Sequence, residues 1–177
     1  MLKKIILVFI AIIIILGIGY FVFQPKTENK ENIVFDQKNC TYSIANESVS
    51  LINGYFEKEI ASDSASKLIT RYFGNEVSGD FNGDGLADVA FLITQEAGGS
   101  GTFYYVAVAL NSNEGCKGTN AVLLGDRIAP QTTEFRDEEI IVNYLERNEG
   151  ESMTTQPSFG ISKYLKVSEG QLVEVAK

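Results

Sequence analysis

A chain of 177 residues that is 45% hydrophobic and 21% charged has room for one domain of ordinary size and enough apolar material for a core, which excludes wholesale disorder. Its formal net charge of −8, with no run of Lys and Arg to offset it, repels nucleic-acid phosphates and argues against a nucleic-acid partner. There is no histidine, which removes the commonest general base, the commonest zinc ligand and any Ser–His–Asp triad.

The chain opens with "MLKK", followed by Ile5 to Phe23, nineteen residues without a charge. As a helix this segment spans roughly 28 Å, close to the ~30 Å hydrocarbon core of a bilayer. Lys3 and Lys4 precede it and no basic cluster follows it, which predicts N-inside, C-outside. Residues 1–23 are therefore read as one N-terminal transmembrane helix, a signal-anchor in the cell membrane. The alternative is a cleaved signal peptide, with Gly17 and Gly19 as the small residues before the cut and a secreted product. Both readings place the bulk of the chain outside the cytoplasm, in a periplasm or the extracellular space. Residues 24–39, "QPKTENKENIVFDQKN", are polar and read as a tether, with Ile33, Val34 and Phe35 docking on the domain. Residues 40–177 form the extracytoplasmic domain.

Cys40 and Cys116 are the only cysteines, and an oxidising compartment predicts that they pair. From Thr41 the pattern is strand after short strand. "TYSI" and "SVSLI" flank a short turn, and Asn53-Gly54 is a strong two-residue hairpin signal between "SVSLI" and "YFEKEI". "ASDSAS" is a loop, and "KLITRYF" reads as a strand with a short helix as the alternative. Ala87 to Thr94 and Thr102 to Leu110 are nearly continuous apolar runs, which predicts central strands covered on both faces. Glycine-rich "QEAGGSG" joins them as a hairpin. "NAVLLG", "TTEF", "EIIVNYLE", "ISKYLKV" and "QLVEV" follow, the last two as a hairpin around Ser168-Glu169-Gly170. About ten short strands with frequent turn signals predict a mainly β domain, an antiparallel sandwich or barrel.

Chemistry concentrates in "GDFNGDGLADVAFL", residues 79–92. Asp80, Asn82, Asp84 and Asp88 stand at positions 1, 3, 5 and 9 of a calcium loop, with Gly85 at position 6 and the Leu86 carbonyl at position 7. Calcium takes six to eight oxygens, and a chain supplies them in so short a span only by wrapping around the ion. An acidic turn bonded to its own backbone is the competing reading. The loop departs from an EF-hand, because position 12 is Phe91 and not Glu. It resembles instead the calcium loops of FG-GAP (integrin-type) repeats and of dockerins. The FG-GAP likeness is the nearer, since there too the loop runs directly into a strand. That resemblance implies a bound Ca²⁺. It covers one copy of about fourteen residues, so the propeller built by repeated FG-GAP motifs is not expected. The longer stretches "RYFGNEVSGDFNGDGLADVAFL", "GGSGTFYYVAVAL" and "GTNAVLLGDRIAPQTTE" also resemble a set of small bacterial extracytoplasmic proteins of unassigned function. This implies a bacterial source and no particular activity.

Other candidates carry less. "GGSG" at 98–101 is a hairpin connection, because no helix follows to bind a phosphate. Glu134, Asp137, Glu138 and Glu139 include a conceivable acid pair, although carboxylates adjacent at a turn are usually solvated. Asp126–Arg127 and Glu146–Arg147 stand at strand ends as surface pairs worth ~0–1 kcal/mol. Tyr104 and Tyr105 point to opposite faces of one strand. Arg147 to Ser158 is long for a hairpin loop and holds Met153. The expectation is a membrane-tethered, non-enzymatic binding or structural module with one structural calcium and an extracytoplasmic partner not named by the sequence. A carboxylate enzyme acting on envelope glycans and an inhibitor of a secreted hydrolase are the rivals.

Overall fold

Burial on both faces dominates the architecture of this chain, seen in a computed structural model that describes residues 35–62 and 65–177. The predicted membrane anchor, and the tether up to Val34, lie outside the described residues. Among the described residues no helix occurs, and so none is long and apolar enough to cross a membrane. The fold is mainly β, with twelve strands among the described residues where the sequence suggested about ten: β1 Thr41–Ile44, β2 Glu47–Ser50, β3 Tyr55–Glu59, β4 Lys67–Gly79, β5 Asp88–Glu96, β6 Phe103–Ser112, β7 Gly115–Gly118, β8 Val122–Asp126, β9 Ala129–Arg136, β10 Glu139–Glu146, β11 Phe159–Ser168 and β12 Gln171–Glu174.

β5 and β6 pair antiparallel at the centre of a six-stranded sheet ordered β3-β4-β5-β6-β7, with β8 pairing the opposite end of β6 from β7. Their continuous apolar runs fill both faces, as expected. Ala90, Leu92, Val106, Val108 and Leu110 face a four-stranded sheet, β12-β11-β10-β9, and pack with Ile140, Val142, Tyr144, Leu165 and Leu172. Phe91, Ile93, Tyr105, Ala107 and Ala109 point the other way, onto Tyr42, Ile44, Val49 and Leu51 of the N-terminal segment. Tyr104 borders the first core and Tyr105 lies in the second, so the two tyrosines do take opposite faces.

Local chemistry accounts for the turns. Asn53 and Gly54 both have positive φ, as a type I′ turn requires, and Ile52 and Tyr55 exchange hydrogen bonds across it. The two strands part after that single pair. β2 returns to β1, while β3 joins β4 in the larger sheet. Glu169 and Gly170 close the β11–β12 hairpin in the same way. "KLITRYF" is a strand and not a helix, and it extends as β4 through Gly79 with register shifts at Gly74.

β7 was not legible in the sequence, since "GCKG" has neither apolar alternation nor β-branched residues. Two contacts place it. Cys116 is disulfide-bonded to Cys40, with Cα atoms 5.7 Å apart, which fastens the β1–β2 hairpin to the edge of the central sheet. Gly118 lets β1 approach: a Cβ there would stand 2.3 Å from the Thr41 carbonyl oxygen and 2.5 Å from the Tyr42 ring. A parallel bridge completes the junction, Ser43 N donating to Thr119 O and Ala121 N to Ser43 O. Phe35 packs against the same core, so the end of the predicted tether belongs to the fold. Asn120 links the two larger sheets, its side-chain amide bonding both the carbonyl and the N–H of Leu172.

Two stability outcomes follow from this junction. Removing the crosslink as Cys40→Ser/Cys116→Ser opens a loop with a sequence separation of 76 residues. The chain-entropy relation puts the loss at about 4 kcal/mol, measurable by urea unfolding of the full-length protein against wild type. Gly118→Ala costs about 1–3 kcal/mol by overpacking in the same assay, whereas Gly99→Ala, with nothing within 4 Å, stays within about 0.5 kcal/mol.

Candidate functional site: the Asp80–Asp88 loop and its cleft

The loop between β4 and β5 and the first residue of β5 hold every residue singled out as a metal ligand, and the structure separates their roles. Asp80 is the hub. Its Oδ1 accepts from the backbone N–H of Gly83 at 2.7 Å and of Asp84 at 3.1 Å, and its Oδ2 accepts from Gly85 at 2.9 Å. The Gly85 N–H foremost, helped by Gly83, Asp84 and Asn82 and opposed by some desolvation, holds the Asp80 carboxyl below its usual range. Gly83 and Gly85 both have positive φ, which turns their N–H groups inward. Asn82 and Asp84 bond each other: the Asp84 N–H donates to Asn82 Oδ1 at 3.0 Å and the Asn82 amide to Asp84 Oδ2 at 2.9 Å. Asp84 Oδ1 accepts from the N–H of Leu86 at 2.8 Å.

Asp88 is different. It is fully buried, 0% exposed, at the first position of β5. Oδ2 accepts from the Phe81 N–H at 3.0 Å and Oδ1 from the Asn111 N–H at 2.8 Å. The same side chain thus ties the start of the loop to the end of β6. Burial pushes its carboxyl pKa up; the two N–H donors oppose that rise, and the nearby charges of Asp84 and Asp80 add to it. Phe91, at position 12, is fully buried in the second core and offers no oxygen.

The loop is rich in hard oxygen donors of the kind calcium takes. In this conformation they are turned to backbone N–H groups, and among the described residues no group of three or more acidic, Cys or His side chains converges to hold a metal ion. The arrangement is that of a self-bonded acidic loop in which Asp80 Oδ2 and both Asp84 oxygens each accept one hydrogen bond and keep a spare lone pair.

A cleft of about 420 Å³ opens beside the loop. It is lined by Asp80, Phe81 and Asn82 of the loop, Phe135 of β9, Glu138 of the β9–β10 turn, and Lys166 and Val167 of β11. The rings of Phe81 and Phe135 meet edge to face with centroids 4.7 Å apart. Gly79 makes the contact possible, since a Cβ there would lie 2.6 Å from the Phe135 ring. Lys166 Nζ and Glu138 Oε2 are 3.9 Å apart, beyond hydrogen-bonding distance, and the Glu138 side chain is 92% exposed. Phe135, Val167 and Lys166 were not marked out by the sequence. They come together only because the four-stranded sheet ends level with the loop, and no local pattern carries that information.

The remaining candidates disperse. Glu134 accepts from Thr132 and Asn143, and nearly buried Glu139 pairs with Lys177 at 2.9 Å, so these two carboxylates of that segment face separate partners. Asp126 and Arg127 pair at 2.9 Å. Arg147 instead donates to the carbonyls of Thr155 and Arg127, which orders the long loop before β11. Ser100 lies in an exposed hairpin connection. Comparison of the chain with protein-family models, curated proteins and solved structures finds no match in any of the three.

Separate roles for Asp88 and Asp84 predict separate losses when chelator is present. Asp88→Asn sets an amide NH₂ against one of two buried N–H donors and costs about 2 kcal/mol in urea unfolding. Asp84→Asn, on the exposed side of the loop, changes stability by no more than about 0.5 kcal/mol under the same conditions.

Proposed function

We propose that this chain is a membrane-tethered extracytoplasmic antiparallel β-sandwich that binds Ca²⁺ in the Asp80–Asp88 loop as a brace and serves as a binding module. The observation that carries the reading is the division of labour in the loop. Asp88 anchors it from inside, while Asp80, Asn82, Asp84 and the Leu86 carbonyl are left at the surface around two glycines. A cation there neutralises three neighbouring carboxylates and replaces the Asn82–Asp84 bond with stronger ligation. Membrane attachment rests on the uncharged run from Ile5 to Phe23, and an oxidising compartment suits the Cys40–Cys116 crosslink.

Extracellular calcium modules often bind at ~10⁻⁴–10⁻³ M. With a dissociation constant of about 0.1 mM and about 1 mM free ion, linkage stabilises the fold by roughly 1.4 kcal/mol, a few degrees in Tm. Thermal melting of the full-length protein in detergent, with calcium and with chelator, reads this directly. Asp84→Ala is expected to abolish the shift, and Asn82→Ala, which removes a neutral ligand, to reduce it. Superimposable melting curves in calcium and chelator reject the calcium brace.

A further inference from the structure

We infer that the cleft beside the loop is a recognition site for a neutral sugar ring. The inference rests on the reading of the domain as a binding module and needs no metal. Four observations converge on it.

The first is size. At about 420 Å³ the cleft falls in the lower part of the roughly 300–1,000 Å³ range of small-molecule sites. The second is preorganisation. The Phe81 backbone is held by the buried Asp88 carboxylate, and Phe135 is seated over Gly79, so the aromatic floor is in place before any ligand arrives. A pyranose presents an axial C–H face that suits such a floor.

The third is the mixture of polar groups. Around the aromatic pair stand acceptors, the Asp80 and Glu138 carboxylates, and donors, the Lys166 ammonium and the Asn82 amide. A ring hydroxyl is both donor and acceptor and satisfies either kind. A purely apolar ligand would strip water from these groups and return nothing. The fourth is charge. Two carboxylates against one ammonium leave the lining net negative, which disfavours phosphates, uronic acids and acidic peptides. The ammonium in turn opposes an amine. Lys166 is free to turn toward a ligand, because its ion-pair contact with Glu138 spans 3.9 Å and is not a hydrogen bond.

The test uses full-length protein in a non-glycosidic detergent on an array of immobilised neutral hexose and N-acetylhexosamine oligosaccharides, beside uronic-acid and sulfated counterparts. Neutral glycans are expected to be retained and acidic ones not. Lys166→Ala and Phe135→Leu should each weaken retention roughly tenfold or more, the loss of one charged hydrogen bond or one ring contact. Lys163→Ala, whose ammonium is engaged by Glu174 at 2.9 Å, should leave retention unchanged. Melting curves of the variants confirm that each is folded. Three results overturn the assignment: no neutral glycan retained by cooperatively melting protein, preferential retention of acidic glycans, or retention that both cleft variants leave intact. A calcium-dependent melting shift without glycan retention rejects the sugar site and leaves the calcium-braced module standing. Retention without a calcium shift does the reverse.

Discussion

Burying both faces of β5 and β6 leaves two apolar surfaces to cover, and the rest of the chain is arranged to cover them. The carboxy-terminal four-stranded sheet closes one face through Ile140, Val142, Leu165 and Leu172. The other face is larger than a single two-stranded hairpin can hold by its own stability, because isolated hairpins are marginal in water. The hairpin β1–β2 is held there by reinforcement at one end: a disulfide, a parallel bridge and a glycine contact all fall within Cys40–Ser43 and Cys116–Ala121. Asn120 sits in the same short segment and reaches the opposite sheet at Leu172. A few residues after β7 therefore bind all three layers together.

A second constraint acts at the beginning of β5. Water is excluded from Asp88, yet each of its carboxylate oxygens accepts a backbone N–H, one from each of two chain segments. A buried polar group is tolerated when it is hydrogen-bonded. The result is a rigid root for a loop whose outer half carries more negative charge than its own N–H groups require. Rigidity at the root and excess charge at the tip suit a site that receives something from solvent. The same root fixes Phe81, so the loop and the cleft share one support.

Much of this was readable in the residues, for identifiable reasons. Uninterrupted apolar runs announced β5 and β6, because nothing else in a small domain needs two apolar faces. Asn53-Gly54 and Glu169-Gly170 announced turns through the cost of positive φ elsewhere. The spacing of Asp80, Asn82, Asp84 and Asp88 located the loop, and the single pair of cysteines its crosslink. What stayed hidden depends on tertiary proximity. The Asn-Gly turn gave no sign that β2 and β3 would enter different sheets. β7 is a strand because β6 and Cys40 make it one, not because "GCKG" favours it. Spacing gave Asp88 the same standing as Asp80, and only burial distinguishes an internal fastener from a surface acceptor.

The position of the Cys40–Cys116 crosslink has a mechanical meaning. Tension entering from the N-terminal side meets Cys40 before any strand of the described residues, and the covalent bond passes it to β7 at the edge of the central sheet. The β1–β2 hairpin is bypassed, so it cannot be unzipped pair by pair as the first step of extension. The residues between the two cysteines are likewise withheld from the stretched contour, a reserve of roughly 250 Å at full extension. Load falls instead on the β6–β7 ladder, Ala109–Ser112 against Gly115–Gly118, whose hydrogen bonds share it. A domain held by its amino terminus in a moving envelope would in this way keep its N-terminal cover seated while under strain.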